Sequence, residues 1–267
     1  IMPLNSQYGV PATMQAIHNI IDGVTPAYGL ATDEDVKALF APPADLDDAD
    51  WATIALLSQN GTISDYYNVG DEKTITLSTG EQVTFVILGF DHDDLSNGSG
   101  KAGVTFGMKN LLATSYRMNQ SSSNAGGWNN SVMRTETMPA LFNQLPLDLQ
   151  AMVKSVNKKS MSGGRSTTIT TSIDKIFLFA RVEIDGTTTS GYAGEGTQYE
   201  YWKTVKDGTV AANRVKYLSN GSGSAAIWWL RSPYVSNGSY FMDIGQSGNI
   251  SSSLASNALR VCFGFCV

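Results

Sequence analysis

Four consecutive side chains, Asp91-His92-Asp93-Asp94, form the densest group of chemically able residues in this sequence. Carboxylates and an imidazole could gather a divalent cation, or His92 could act as a general base. Residues in an extended strand alternate faces, so the four converge only if the chain turns sharply there. The glycine of an EF-hand loop is missing, and the stretch reads equally as an acidic turn at a strand end. The other histidine, His18, falls on the apolar side of a predicted helix and is expected to pack. Cys262 and Cys266 are the second reactive group, since two thiols can hold copper or zinc or do redox chemistry. In a strand they lie on one face about 13 Å apart, beyond the ~7 Å that a disulfide spans. Buried, inert thiols are the simpler expectation. No Ser/His/Asp triad and no phosphate-binding glycine loop is present.

A different chemistry runs from Tyr234 to Asn257. This segment holds seven Ser, three Asn, three Gly and two Tyr, with no Lys, Glu, Arg, Thr or Trp. A linker has such a composition, but Phe241, Met242, Ile244, Ile250 and Leu254 punctuate it, and Gln246-Ser247-Gly248 marks a turn between two short strands. The segment is therefore expected to fold as a hairpin. Its outward positions carry the vocabulary of antibody combining sites: rigid amphipathic Tyr, with Ser, Gly and Asn for adaptable hydrogen bonding. An ordinary solvated β surface would read the same way. The candidate ligand-binding residues lie outside the apolar framework: Ser236, Asn237, Ser239, Tyr240, Asp243, Gly245, Asn249, Ser251, Ser252, Ser253, Ser256 and Asn257. Strand alternation opposes Tyr240 to Asp243, so both face solvent only if a bulge intervenes.

The elements that must position these residues are legible in outline. Residues 1–45 read as an N-terminal helical extension, with helices over Thr13–Asp22 and from Thr32 to Phe40, ended by Pro42-Pro43. Asp47–Asn60 reads as a helix stopped at Gly61. Lys73–Leu77 and Gln82–Leu88 flank a Ser78-Thr79-Gly80 turn, the second strand apolar enough to be buried on both faces. Helices are expected over Ser131–Phe142 and Leu145–Val156, a polar loop over Lys158–Thr171, and a core strand over Ile173–Ile184. A short helix or turn over Tyr199–Lys206 precedes apolar strands at Ala225–Leu230 and Leu259–Val267.

With 267 residues, 42% of them hydrophobic and 16% charged, the chain reads as globular. Its 26 glycines indicate a loop-rich fold. A net charge of -6 without a Lys/Arg cluster argues against nucleic acid or anionic membranes as partners. No apolar run approaches the ~20 residues that cross a bilayer, and no signal-peptide pattern is seen. The two cysteines give no disulfide framework, which points to assembly in a reducing cytoplasm.

Gly126-Gly127-Trp128 through Met133-Arg134, the LPLDLQAMVKSV and KIFLFARVEI segments, and Ser224-Ala225-Ala226-Ile227 running into Trp-Trp-Leu-Arg-Ser-Pro233 carry a resemblance. Across Leu46–Val267 the chain resembles C-type-lectin-fold proteins of gut bacteria and their phages. Some of these are the hypervariable proteins of diversity-generating retroelements, similar to phage major tropism determinants. The resemblance implies an α+β C-type lectin fold: a twisted antiparallel sheet, two helices and long irregular insertions. It implies a non-enzymatic ligand-binding protein on a phage virion tail or bacterial surface, without cofactor, as a monomer or trimer. A variable region over about 234–257 would bind a host-surface protein or glycan, with Trp228, Trp229 and Arg231 as scaffold beneath it. Adenine-directed miscopying would turn Asn codons into Ser, Tyr, Gly or Asp codons, the vocabulary seen here. Other readings stay open. Formylglycine-generating oxidases share the broad fold and use a cysteine pair, to which Cys262 and Cys266 would correspond. A calcium-dependent lectin would use Asp91–Asp94 or Asn129, although Trp128-Asn129-Asn130 lacks the Asp of the similar lectin segment. An invariant structural virion component is the last.

Overall fold

Asp50 opens the first helix in the computed structural model, which describes residues 41–203, 212–219 and 223–267. The helices expected between Thr13 and Phe40, His18 among them, lie outside the described residues. In α1 (Trp51–Gln59) the Asp50 carboxylate accepts from Thr53 N–H at 2.6 Å, and Gly61 stops the helix at φ 68°. The expected start at Asp47 is corrected, because Leu46–Asp48 forms its own 3-10 turn under an Asp45 cap. The hairpin of β1 (Glu72–Thr76) and β2 (Gln82–Phe90) turns through Gly80 at φ 85°. Phe85 to Gly89 is buried at every position, as its apolar run requires. After β3 (Val104–Met108) and β4 (Ser115–Arg117), a π-helical turn over Met133–Thr137 leads into α2 (Met138–Phe142). Pro139 has no N–H to offer the preceding turn, which accounts for the loosened register ahead of it.

Three expectations are corrected in the middle of the chain. Helix α3 (Leu147–Met152) is shorter than Leu145–Val156. The supposed loop over Lys158–Thr171 is a hairpin of β5 (Val156–Gly163) and β6 (Ser166–Asp174). Its inward positions include Lys158 and Ser160, both buried, so the alternation that announces a strand is erased by polar core residues. Finally, Ile173–Ile184 is not one strand. β7 (Ile176–Leu178) breaks into α4 (Arg181–Asp185), whose first turn is closed by Glu183 Oε2 accepting from Ala180 N–H at 2.9 Å. Then come α5 (Glu200–Lys203), β8 (Trp228–Pro233), β9 (Tyr240–Ile244), β10 (Ile250–Leu254), β11 (Ala258–Arg260) and β12 (Phe263–Cys266).

One five-stranded sheet has the order β1-β2-β3-β12-β7, and another the order β10-β9-β8-β11-β4; β5 and β6 pair separately. Every pairing between these strands is antiparallel except the single β8–β11 contact, Trp228 to Arg260; the isolated Leu111–Leu218 bridge is also parallel. The class is α+β, with antiparallel sheets and few, short helices. On one face of the first sheet Phe85, Phe106 and Phe265 pack with Trp51 of α1 at ring separations of 4.9–5.8 Å. The other face is so close-packed that a β-carbon at Gly264 would lie 2.7 Å from the Phe179 ring. Among the described residues no helix is long and apolar enough to cross a membrane.

Candidate functional site

The segment from Tyr234 to Asn257 closes one side of the second sheet as three turns and two strands, β9 and the edge strand β10. The ladder β9–β10 is regular, with Tyr240 opposite Leu254 and Asp243 opposite Ser251. No bulge intervenes within it, so the alternation between Tyr240 and Asp243 stands. Ser236, Asn249, Ser251 and Asn257 are exposed; Asn237, Ser239, Tyr240, Gly245, Ser252, Ser253 and Ser256 are half-buried. Asp243 is only 1% exposed. The candidates are thus brought together along turns and an edge, not across an open face. Trp228, Trp229 and Arg231 are fully buried beneath them. The two indoles donate to Arg214 O at 3.1 Å and Tyr116 O at 2.8 Å.

The segment is held mainly by its backbone. Buried Asn124 donates from Nδ2 to Asn237 O at 3.0 Å and Tyr240 O at 2.6 Å, while its own N–H donates to Gly238 O at 2.7 Å. Its Oδ1 accepts from Gly164 N–H at 2.7 Å, tying the turn to the β5–β6 hairpin. The Tyr192 hydroxyl accepts from Val235 N–H at 3.2 Å and donates to Met242 Sδ at 3.3 Å. Asn119 N–H donates to Ala255 O at 2.9 Å. Among the described residues, the side chains of Ser236, Ser239, Ser252 and Asn257 make no hydrogen bond. Side chains at these positions can change without disturbing what holds the turns.

Asp243 differs from the other candidates. Both carboxylate oxygens are buried without a hydrogen-bond partner. Burial pushes its pKa above the usual carboxylate range, while the Ser253 and Ser251 hydroxyls across the ladder oppose that shift without reaching bonding geometry. It belongs to the interior, beside Trp229 in the adjoining ladder.

Below the second sheet lies a buried ionic cluster whose members are widely separated in sequence. Asp91 takes φ 47°, a left-handed turn that Asp tolerates, just before Asp93 passes into the core. Lys158 Nζ reaches Asp93 Oδ1 at 2.6 Å, Glu183 Oε1 at 2.7 Å and the Tyr199 hydroxyl at 3.0 Å, spending its three protons. Asp93 Oδ2 accepts from Thr105 Oγ1 at 2.7 Å and Tyr199 OH at 2.8 Å. Arg231 grips Glu183 with two bonds, 2.6 and 2.7 Å. Burial works to raise the pKa of both carboxyls, but Lys158 beside Asp93, and Arg231 with Lys158 beside Glu183, outweigh it and hold them below their usual range. His92 stacks on Tyr199 at 3.9 Å, and burial lowers its pKa. A cleft of about 350 Å³ opens above, lined by His92, Lys101, Lys159, Gly194, Glu195 and Thr197. Its charged floor is internally satisfied, so the cluster's chemistry is that of a clamp between β5, β8, α4 and the Asp93 turn.

Glu195 completes the cluster. Its Oε1 accepts from Met161 N–H at 2.9 Å and its Oε2 pairs with the Ser232 hydroxyl. Burial pushes its pKa from 4.5 up to about 7, against the pull of Ser232, Met161 and Arg231. A raised carboxyl contributes stability that is full below its unfolded value and is lost as pH rises through about 7. The displacement corresponds to roughly 3 kcal/mol. Urea denaturation at pH 5 and pH 8 should therefore show Glu195→Gln losing about 2.5 kcal/mol less than the native chain over that interval. Equal losses in both proteins would contradict this assignment.

The remaining candidates stay apart. Cys262 and Cys266 are buried and free. Cys262 Sγ donates to Met108 O at 3.3 Å, whereas Cys266 Sγ lies 3.3 Å from Thr105 Oγ1 and 3.5 Å from Asp93 Oδ2. Burial raises both thiol pKa values, which suppresses the reactive thiolate. No group of three His, Cys, Asp or Glu side chains among the described residues could hold a metal ion. Asn129 Nδ2 donates to Thr171 O at 3.3 Å, and its Oδ1 is buried and unpaired.

Residues 102–265, from just before β3 into β12, match the family model DUF6273, a domain of unknown function. The chain belongs to the DUF6273 family. The matched region contains the Asn124 clamp, the Lys158–Glu183–Arg231 part of the ionic cluster and the whole 234–257 segment; Asp93 falls before it. No curated protein and no solved structure matches the chain.

Proposed function

We propose that this DUF6273 protein is a non-enzymatic binding protein with a C-type lectin fold. In this reading it is a retroelement-diversified receptor-binding or surface-display protein, whose 234–257 segment binds a host-surface protein or glycan. The observation that carries the reading is the division of labour within that segment. Asn124, Tyr192 and Asn119 hold its turns largely through main-chain atoms, while Ser236, Asn249, Ser251 and Asn257 are exposed and the other candidate Ser, Asn and Tyr residues half-exposed. A site that must accept new side chains at no cost to the fold needs that arrangement. The Ser/Asn/Gly/Tyr composition adds support, and so does the buried, internally bonded WWLRSP strand.

Sequencing the locus across a population tests diversification directly. Substitutions should concentrate at Ser236, Asn237, Ser239, Tyr240, Asn249, Ser251, Ser252, Ser253, Ser256 and Asn257, and spare Asn124, Tyr192, Phe241, Met242 and Arg231. An unvarying segment would remove the retroelement claim. For the binding claim, the protein is screened against arrayed glycans and host-surface proteins. Tyr240→Lys and Asn257→Lys should each weaken any hit by at least about tenfold, the scale of one well-placed contact. Undiminished binding by both variants would sink the site assignment.

A further inference from the structure

Among the described residues, β10 ends its sheet and leaves one side of its backbone open, with β9 on the other. Ala255 N–H donates to Ser239 O at 2.9 Å and Gly245 N–H to Asn249 O at 2.8 Å, both in the register of the β9–β10 ladder. The odd-numbered residues of β10 therefore exchange bonds with β9, because bonded and non-bonded pairs alternate. The N–H and C=O groups of Ile250, Ser252 and Leu254 point the other way. Among the described residues, the one further partner they have is Asn257 N–H, which donates to Leu254 O at 2.8 Å.

Other sheet edges are shorter or partly engaged, including that of β6, where Asn129 Nδ2 and Arg134 Nη2 bond the Thr171 and Ile173 carbonyls. Along β1, Asp47 Oδ1 takes the Thr74 N–H at 2.6 Å and Lys73 binds the carbonyls of Asp47 and Ala49. β4 and β7 have three residues each. β10 has five, Ile-Ser-Ser-Ser-Leu, with no charge, proline or bulge to repel a partner strand.

The sequence of that edge is also complementary to itself. Reversed, it reads Leu-Ser-Ser-Ser-Ile, so a two-fold axis through Ser252 sets Ile250 against Leu254 and Ser252 against its own counterpart. Ser252 then meets its own counterpart, a pair free to exchange two N–H···O bonds, and Ile250 meets Leu254, whose carbonyl keeps one lone pair beside its bond from Asn257 N–H. Of the registers that set open residues against open residues, this one pairs all three and matches Ile250 with Leu254. We infer that β10 is a homodimerisation edge, joining the second sheets of two copies into one continuous sheet with two 234–257 segments side by side. The inference does not rest on the proposed function. Because the contacts are main-chain, they tolerate side-chain variation along the strand.

The test uses the full chain in sedimentation velocity from micromolar to millimolar protein. A concentration-dependent monomer–dimer equilibrium is expected. Ser252→Pro removes the outward N–H at the two-fold without touching the bonds to β9, and should return the protein to monomer with an unchanged circular dichroism spectrum. Mild oxidation of Ser252→Cys should give a disulfide-linked dimer, and Ser251→Cys much less of one, since only position 252 meets itself. If the proline variant fails to fold, the cysteine pair decides. A monomer at every concentration, a dimer indifferent to Ser252→Pro, or equal cross-linking at 251 and 252 would each overturn the inference. Protection of the 250, 252 and 254 amides by a bound target, without any dimer, would assign the edge to a foreign strand and overturn it too.

Discussion

Arg231→Ala should lower the unfolding free energy by about 3–5 kcal/mol, the cost of breaking a buried ion pair from one side. All five guanidinium protons are spent. Nε donates to Lys159 O at 3.0 Å, Nη1 to Leu178 O at 2.8 Å and Glu183 Oε2 at 2.6 Å, and Nη2 to Glu183 Oε1 at 2.7 Å and Glu195 O at 3.0 Å. Alanine would strand the Glu183 carboxylate, three carbonyls and a cavity at a site with no exposure to water. Glu183 would keep Lys158, but Lys158 is shared with Asp93. Arg231→Lys should recover little, because an ammonium offers three protons from one point where a planar fork is required. Urea denaturation measures these losses. Against a typical total of ~5–15 kcal/mol, the alanine variant would sit near the edge of folding. The double variant Arg231→Met with Glu183→Met should lose less than the sum of the two single losses, since it leaves no uncompensated charge between the partners. Additive losses, or a loss under about 1 kcal/mol for Arg231→Ala, would show that the pair does not hold the sheets together.

How much of this could be read beforehand depends on which signal each element uses. The β9–β10 hairpin announces itself, because Phe241, Ile244, Ile250 and Leu254 bracket Gln246-Ser247-Gly248 and the turn needs little else. The burial of β2 is equally plain in its unbroken apolar run. The β5–β6 hairpin is hidden for a physical reason: its buried positions hold Lys158 and Ser160, which pattern reading assigns to solvent. Asp93, Lys158, Glu183 and Arg231 share no local spacing, so nothing in one dimension marks them as one cluster. The Asp91–Asp94 run points to the right place with the wrong chemistry, since only Asp93 turns inward and it meets a lysine. The break between Leu178 and Arg181 follows from Glu183 capping its own helix, a bond that competes with strand propensity only once the cluster has formed. As for the candidate binding segment, its boundaries and most of its exposed residues are legible from composition. The burial of Asp243 follows from strand alternation, once the ladder is known to be regular.

Asn124→Ala should cost about 2–4 kcal/mol, because it leaves several buried polar groups unpaired at roughly 1–3 kcal/mol each. Gly164 N–H would lose its acceptor, and the carbonyls of Asn237 and Tyr240 would lose their shared donor. The site leaves no room for rearrangement, since a β-carbon at neighbouring Gly163 would already lie 1.7 Å from Asn124 O. The loss should also be uneven. Among the described residues Asn124 is the one side chain that bonds the 234–240 turn to the β5–β6 hairpin, so hydrogen exchange should accelerate most at the amides of 237–240, with the core strand β2 far less affected. Asn124→Asp gives a second handle. Its ionised carboxylate would face the two carbonyl oxygens that the amide now serves, and protonation would restore one donor. Its instability at pH 7 should therefore be partly relieved near pH 4, where the alanine variant shows no such recovery. Uniform acceleration of exchange across the whole domain would mean that Asn124 is an ordinary core residue. Acceleration confined to the turn would mean that one buried amide sets the geometry from which Ser236, Asn237 and Ser239 are presented, whatever side chains those positions carry.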